Sequence, residues 1–277
     1  MNFNKTLLAG FLTLTFSAAS SATEYTKVAD IDFKDENFKQ CVLAQNIELT
    51  VDIKELTCRQ VKVSHADEIR YFPALEELWL QGSELTSLDT SHNTNLLDLS
   101  VTKSQISALD LSNNTKLTQL NVSFNKLTSL DLKKNTELNN LGVARNQLET
   151  LDLSHNPKLK YLYAKENAFT TLDFSHNPEL RNIGLNSNKL THVNVSKNPK
   201  LNSLGLMYNQ VEQLDVTHNA KLEQLYITDN KLTKVDVSQN PKLRKLWATE
   251  NPLVELDIQH NPKLNDYEAD EGVNIKQ

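Results

Sequence analysis

A constant step of 21 residues governs most of this chain. The Asp of phrases such as Leu-Asp-Leu-Ser recurs at 89, 110, 131, 152, 173, 215, 236 and 257, and Asn194 fills the one remaining slot. Nine units follow one another from Leu78 to Asp266 without an insertion, 189 of 277 residues. A fixed period of this length, with Leu and Asn at set places, specifies stacked coils, because one unit is too small to bury its own apolar side and must bury it against the next. Length alone allows one large domain or two ordinary ones. The period makes it a single elongated domain whose core is a column.

The unit from Leu120 to Asn140 reads LNVSFNKLTSLDLKKNTELNN. Numbered 1 to 21, its recurring apolar positions are 1, 3, 8, 11, 13 and 19. Two stretches share the template Leu-x-x-Leu-x-Leu-x-x-Asn: Leu117, Leu120, Val122, Asn125 and then Leu127, Leu130, Leu132, Asn135. Alternation at period two predicts a short half-buried strand in each, and neither carries the i, i+3, i+4, i+7 stripe of a helix. The coil is thus expected to have two extended sides joined by two tight turns.

Those turns use asparagine. The chain has 6 Gly, where average usage of roughly 7% would give about nineteen. Position 16 is Asn in all nine units and position 6 is Asn in seven (125, 146, 167, 188, 209, 230, 251). An inward amide can bond turn backbone groups of its own and adjacent coils, so stacked units are expected to form asparagine ladders. Pro at position 17 in five units fixes φ after the Asn and needs no ladder donor.

Phrases such as LTSLDLKKNTELNNL and LETLDLSHNPKLKYL resemble the leucine-rich repeats of bacterial surface and secreted proteins, particularly the 21-residue repeats of the internalin J-like group. The resemblance covers 78–266. It implies a leucine-rich-repeat solenoid: a curved right-handed coil, mainly β, with two short parallel-strand sides per unit and a small helical N-terminal cap. Members of that group often carry Cys where this chain has Val122, Val143 or Ala164, so no cysteine ladder is expected. Gram-positive internalins end in wall-sorting signals or repeat-type anchors, and this chain reaches Gln277 with neither, so host-cell adhesion and wall attachment are not carried over; a host or cell-surface interaction is one setting the resemblance allows for the partner.

The rest of the chain divides into a signal segment and caps. Residues 1–22 read as a secretory signal, with Lys5 in the n-region, Leu7 to Phe16 as the apolar stretch and Ser20-Ser21-Ala22 before cleavage. That stretch is about half the ~20 residues a membrane span needs, so a protein exported to the periplasm or the medium is expected, with no membrane span. Residues 23–77 supply the N-terminal cap and a degenerate first repeat. Within them, 35–45 predicts a short amphipathic helix N-capped by Asp35, with Phe38, Cys41 and Val42 on one face. Cys41 and Cys58 are the only cysteines. Export permits a bridge between them, contributing about 3 kcal/mol by the chain-entropy estimate; two buried free thiols are the alternative. Residues 267–277 predict a minimal C-terminal cap.

Position 2 lies between two inward residues, so its side chain faces solvent. Down the stack it reads Trp79, Ser100, Asn121, Gly142, Tyr163, Gly184, Gly205, Tyr226, Trp247, Glu268. Both tryptophans of the chain stand in this column, and Phe124, Arg145, Tyr161 and Tyr208 stand near it, as do Lys165, Met207 and Lys245. Aromatic residues with Arg and Met favour the centres of protein interfaces, whereas strand propensity alone is the plainer account. The three glycines are expected to leave shallow depressions between the rings.

Two other columns read as structural. Asp at position 12 is expected to accept bonds from donors two residues on; it lacks the glycine-rich turns of calcium-binding solenoids. His at position 15 (92, 155, 176, 218, 260) sits at a turn too sparsely for zinc. No metal or cofactor is therefore expected. Neither is catalysis, since a nucleophile elbow, paired carboxylates or a phosphate loop would interrupt the register and nothing does. A net charge of -6 disfavours nucleic acid. The expected function is recognition of a macromolecule, a protein first and a glycan second, through Trp79, Phe124, Arg145, Tyr161, Tyr163, Tyr208, Tyr226 and Trp247; a ligand-free envelope scaffold is the remaining alternative.

Overall fold

The computed structural model describes residues 25–277; the signal segment lies outside the described residues. Fifteen strands and one α-helix make a solenoid. Its main sheet has eleven parallel strands: β1 (Glu55–Arg59), β2 (Glu77–Gln81), β3 (Asp98–Thr102), β4 (Gln119–Asn121), β5 (Asn140–Gly142), β6 (Tyr161–Tyr163), β7 (Asn182–Gly184), β9 (Ser203–Gly205), β11 (Gln224–Tyr226), β12 (Lys245–Trp247) and β14 (Asp266–Glu268). From β2 onward each pairing advances by 21 residues, as in Leu99↔Leu120 and Leu225↔Leu246, while Leu56↔Leu78 advances by 22.

Each coil buries its apolar positions inside this column. Leu120, Val122, Leu127, Leu132 and Leu138 are at most 1% exposed, and each such Leu is worth roughly 1.5–3 kcal/mol of burial. Phe169 and Phe174 take Leu slots of one unit and are also fully buried.

The second side of the coil forms ladders between β8 (His192–Asn194) and β10 (Gln213–Asp215) and between β13 (Glu255–Asp257) and β15 (Asn274–Lys276), with a single further bridge from Asp215 to Asp236. Just past this side the chain bonds locally in laddered and unladdered coils alike. In all nine units the position-12 side chain accepts the backbone N–H two residues on, for example Ser91 to Asp89 and Ser238 to Asp236, each at 2.9 Å. The bond closes the turn that follows each second side. The coils are thus joined by a continuous ladder along the main sheet and by an intermittent one along the other side.

The asparagines bond as ladders, with one half of the interior amide unused. Asn177 Nδ2 donates to the carbonyls of Leu153 and Asn156 in the preceding coil, at 3.0 and 2.9 Å. Its Oδ1 is buried without a partner, as are those of Asn93, Asn135, Asn156, Asn198, Asn219, Asn240 and Asn261. Asn114 differs because the hydroxyl of Thr90 reaches its Oδ1 at 2.7 Å. At position 6 both halves work: Asn188 Nδ2 bonds Ala164 O and Leu185 O, and its Oδ1 accepts from Phe169 N.

Glycine is also scarce where it would fit best. Position 5 has positive φ in every repeat, yet only Gly82 is glycine there; Lys103, Phe124, Arg145, Glu166, Ser187, Tyr208, Asp229 and Glu250 hold φ between 53 and 61°. Left-handed backbone costs an L residue roughly 1–2 kcal/mol. The turn is imposed by the coil above and below it, so asparagine is only part of the reason this chain manages with few glycines.

Helix α1 (Glu36–Leu43) caps the first coil. Asp35 accepts from Phe38 N at 2.9 Å, and its other oxygen accepts from the backbone and hydroxyl of Ser64, both at 2.7 Å. Burial opposes its charge, but the bonds from Ser64, Phe38 and His65 outweigh this and hold the carboxyl below its ordinary value. Cys41 is bridged to Cys58 on β1, with 5.8 Å between the Cα atoms. At the far end the acidic tail does more than the pattern break suggests. It adds β14 and β15, one to each side of the coil, and Asp270 accepts the N–H groups of Glu250 and Asn251.

Candidate partner-binding face

The register lines up position 2 as one unbroken column across the sheet: Thr57↔Trp79↔Ser100↔Asn121↔Gly142↔Tyr163↔Gly184↔Gly205↔Tyr226↔Trp247↔Glu268. Along this column the chain places two aromatic groups, separated by the glycine pair.

At the N-terminal end, Trp79 and Tyr163 share a shallow cavity of about 330 Å³ with Asp98, Ser100, Asn121 and Gly142. The Arg59 guanidinium lies 4.8 Å from the centre of the Trp79 ring. The indole N–H is buried near Asp98 but outside hydrogen-bonding geometry. Burial pushes the Asp98 carboxyl up to about 6, and neighbouring Glu77 adds to the shift. Tyr163 is 47% exposed and is the freest ring of the column.

Toward the C-terminus, Tyr226 and Trp247 meet edge to face, centroids 5.0 Å apart. Trp247 Nε1 donates to Asp266 at 3.1 Å, and Lys245 pairs with the same carboxylate at 2.9 Å. Those two partners, Lys245 before Trp247, hold Asp266 below the usual carboxylate range. This pair is therefore fixed in place before any ligand arrives, which lowers the ordering cost of binding.

The other expected residues fall on different columns. Phe124, Arg145 and Tyr208 occupy the left-handed position 5 at the rim. There Arg145 stacks on Phe124 at 4.8 Å while pairing with Glu166, and Lys103, from the coil on the other side, lies 5.9 Å from the centre of the same ring. Phe124 is already engaged by these cations, whereas Tyr208 is 52% exposed. Tyr161 stands on the other flank of the strand, beside a second cavity.

The glycine depressions are fewer than the sequence suggests. A Cβ on Gly142 would lie 2.7 Å from Asn121 Oδ1, and one on Gly205 would lie 2.9 Å from Asn186 Oδ1. Each amide is held there by a backbone donor, Ser123 N and Met207 N respectively. Glycine at these two positions makes room for an asparagine of the preceding coil. Only at Gly184 is the space open.

Sequence reasoning missed Arg59 and Asp266, which engage the two tryptophans, Asp98 beside Trp79, and the amides of Asn121 and Asn186 that fill the space over two glycines. Position 21, which carries Glu77, Asp98 and Asp266, was the available signal. Arg59 was hidden because the first coil is one residue longer.

Comparison with known proteins bears on the fold. The family profile described as Leucine Rich repeat matches residues 113–134. The functional domain of InlJ from Listeria monocytogenes, which includes a cysteine ladder, superposes with a TM-score of 0.84 at 31% identity over 91% of this chain. The fold is a leucine-rich-repeat solenoid. Its 21-residue units are similar to those of InlJ, and the chain spans 63% of the length of that domain. The repeats here hold no cysteine: Cys41 and Cys58 both lie ahead of them, and Val101, Val122, Val143 and Ala164 at position 3 are buried apolar residues. At the level of fold alone, the plant peptide hormone receptor RGFR1 in complex with RGF2 matches with a TM-score of 0.60 at 20% identity, covering 75% of this chain and 38% of that one. TLR13 in complex with ssRNA13 matches with 0.55 at 21%, covering 72% and 31%. Leucine-rich-repeat proteins commonly bind proteins and are typically not enzymes. A comparison with curated proteins finds no match. Among the described residues no helix is long and apolar enough to cross a membrane.

Proposed function

We propose that this leucine-rich-repeat chain is an exported binding protein that docks a protein partner on its inner sheet, with Trp79, Tyr163, Tyr226 and Trp247 as anchors. One observation carries the reading: a single solvent-facing column holds every tryptophan of the chain and sets two aromatic groups on a rigid parallel sheet. Aromatic anchors held on such a platform give contact area at little entropic cost. The Cys41–Cys58 bridge, together with the signal-like N-terminus, supports export. A neighbour of the same fold, the plant peptide hormone receptor RGFR1, is in complex with RGF2, which supports the reading.

The test is photo-crosslinking from Tyr163 and, as the opposite-side control, from His176, followed by titration of the purified partner. Tyr226→Ala with Trp247→Ala should weaken binding by more than about 2 kcal/mol, roughly thirtyfold, with the far-UV spectrum unchanged. Undiminished affinity, or crosslinks from His176 alone, would refute the reading. A glycan is the second reading, favoured by the exposed Tyr163 ring beside open Gly184, a flat platform on which a sugar ring can stack; a glycan array decides it.

A further inference from the structure

A second cavity, of about 460 Å³, opens beside Tyr161 on the flank of the main sheet, lined by Arg181, Asn182, Lys200, Asn202, Lys221, Glu223 and Lys242. Four cations face one carboxylate in a chain whose net charge is -6. Lys200 is paired with Glu179, and Glu223 lies 4.0 Å from Arg244. Among the described residues, Arg181, Lys221 and Lys242 have no acidic partner within ion-pair distance. The floor of the groove is already satisfied: Arg181 O accepts from Asn202 N and Ser203 N, and Asn202 O accepts from Glu223 N and Gln224 N. Only side chains are therefore free to meet a ligand.

The field in this groove favours negative charge. Glu179 at its margin is held below the usual carboxylate range, first by its hydrogen bond to Lys200, with Arg181 and Lys160 adding to the effect. From these residues the geometry points to a docking groove for an acidic, extended polypeptide segment of the partner. It rests on the reading that the sheet meets a protein, and adds that protein's chemistry at one flank.

Spacing and sign select the occupant. Lys200, Lys221 and Lys242 hold the same place in three consecutive coils, which lie about 4.8 Å apart, so the row spans about 10 Å. In an extended peptide, side chains on one face repeat every ~6.8 Å, and two carboxylates at i and i+2 fall within that row. Asn182, Asn202 and Tyr161 supply hydrogen-bonding groups suited to a peptide backbone. A phosphodiester or sulfated chain carries unbroken negative charge and would run it past Glu223 and Glu179; a peptide can place its carboxylates between them.

The probe is a fluorescent twelve-residue peptide of alternating Glu and Ser, titrated by anisotropy against the mature chain at about 50 mM salt, where screening is weak. Its Gln-Ser and Lys-Ser counterparts, a heparin fragment and a single-stranded oligonucleotide are titrated alongside. We expect the Glu-Ser peptide to bind and the other peptides not to. Affinity should fall about tenfold or more in the triple variant Arg181→Ser, Lys221→Ser, Lys242→Ser. It should change less than about twofold in Lys126→Ser, Lys133→Ser, Lys134→Ser, an equal loss of exposed charge elsewhere. Zero-length carbodiimide coupling should join peptide carboxylates to Lys221 or Lys242. The Tyr226→Ala, Trp247→Ala variant should keep this affinity, so that failure of the aromatic column and failure of the groove read out separately. No binding, equal binding to the triple variant, coupling only to other lysines, or tighter binding of heparin or oligonucleotide at the same residues would each overturn the proposal.

Discussion

Replacing Val195 by Thr tests whether the unpaired oxygens of the asparagine ladder are real. Val195 is fully buried at position 13, and its carbonyl accepts from Asn219 Nδ2 at 3.0 Å. The same arrangement surrounds Thr90, whose carbonyl accepts from Asn114 Nδ2 at 3.0 Å and whose hydroxyl donates to Asn114 Oδ1 at 2.7 Å. In the chain as it stands, Asn219 Oδ1 is buried with nothing to accept from. A hydroxyl buried without a partner costs roughly 1–3 kcal/mol, and relieving an unpaired buried acceptor is worth about the same. Val195→Thr should therefore cost less than about 0.5 kcal/mol. Val143→Thr is the control, because the nearby amides of Asn146 and Asn167 already use their Oδ1 atoms, on Leu127 N and Leu148 N; it should cost roughly 1–3 kcal/mol. Urea denaturation followed by circular dichroism reads both, provided the slope with denaturant is unchanged. If Val195→Thr destabilises as much as Val143→Thr, the hydroxyl has not met an unpaired oxygen and the ladder is wrongly described.

The remaining predictions concern backbone strain, the glycine column and pH. Ser187→Gly should raise stability by about 0.5–1 kcal/mol because φ there is +58°, whereas Ser187→Ala should not; the urea midpoint measures it. Gly142→Ala should destabilise by displacing the Asn121 amide, 2.7 Å from the new Cβ, while Gly184→Ala should be close to neutral in thermal melts. Asp98 has its carboxyl raised to about 6 in the fold, so the native state binds more protons than the unfolded chain between its ordinary 3.8 and 6. Stability should thus rise as pH falls from 7 toward 4 and be lost in the opposite direction. Asp98→Asn should raise the melting temperature at pH 7 and flatten that part of the profile.

Much of this structure can be read from the chain because a 21-residue period without insertions places each residue type upon itself. Leu120 predicts the burial of Leu141 and Leu162, and Asn135 predicts the bonding of Asn156, by repetition alone. Helix α1, its Asp35 cap and the single cysteine pair were equally legible, since their signals are local. Position 5 was not: Phe, Arg, Tyr and Glu give no hint of left-handed backbone, and only Gly82 marks the site. The tail after Asp266 also escaped, because Val273 and Ile275 are too few to show a period.

For the candidate site the division follows the same physical line. Sequence periodicity determines the coil, its core and which column faces solvent, because these depend on what recurs. Tertiary structure alone decides which of those exposed groups are free. Asn121 fills the space over Gly142, Asp266 and Lys245 fix Trp247, and Arg145 covers Phe124, each contact joining neighbouring coils through side chains that do not repeat. The groove of Arg181, Lys221 and Lys242 arises the same way, since its charge depends on which lysines find a glutamate one coil away and which do not.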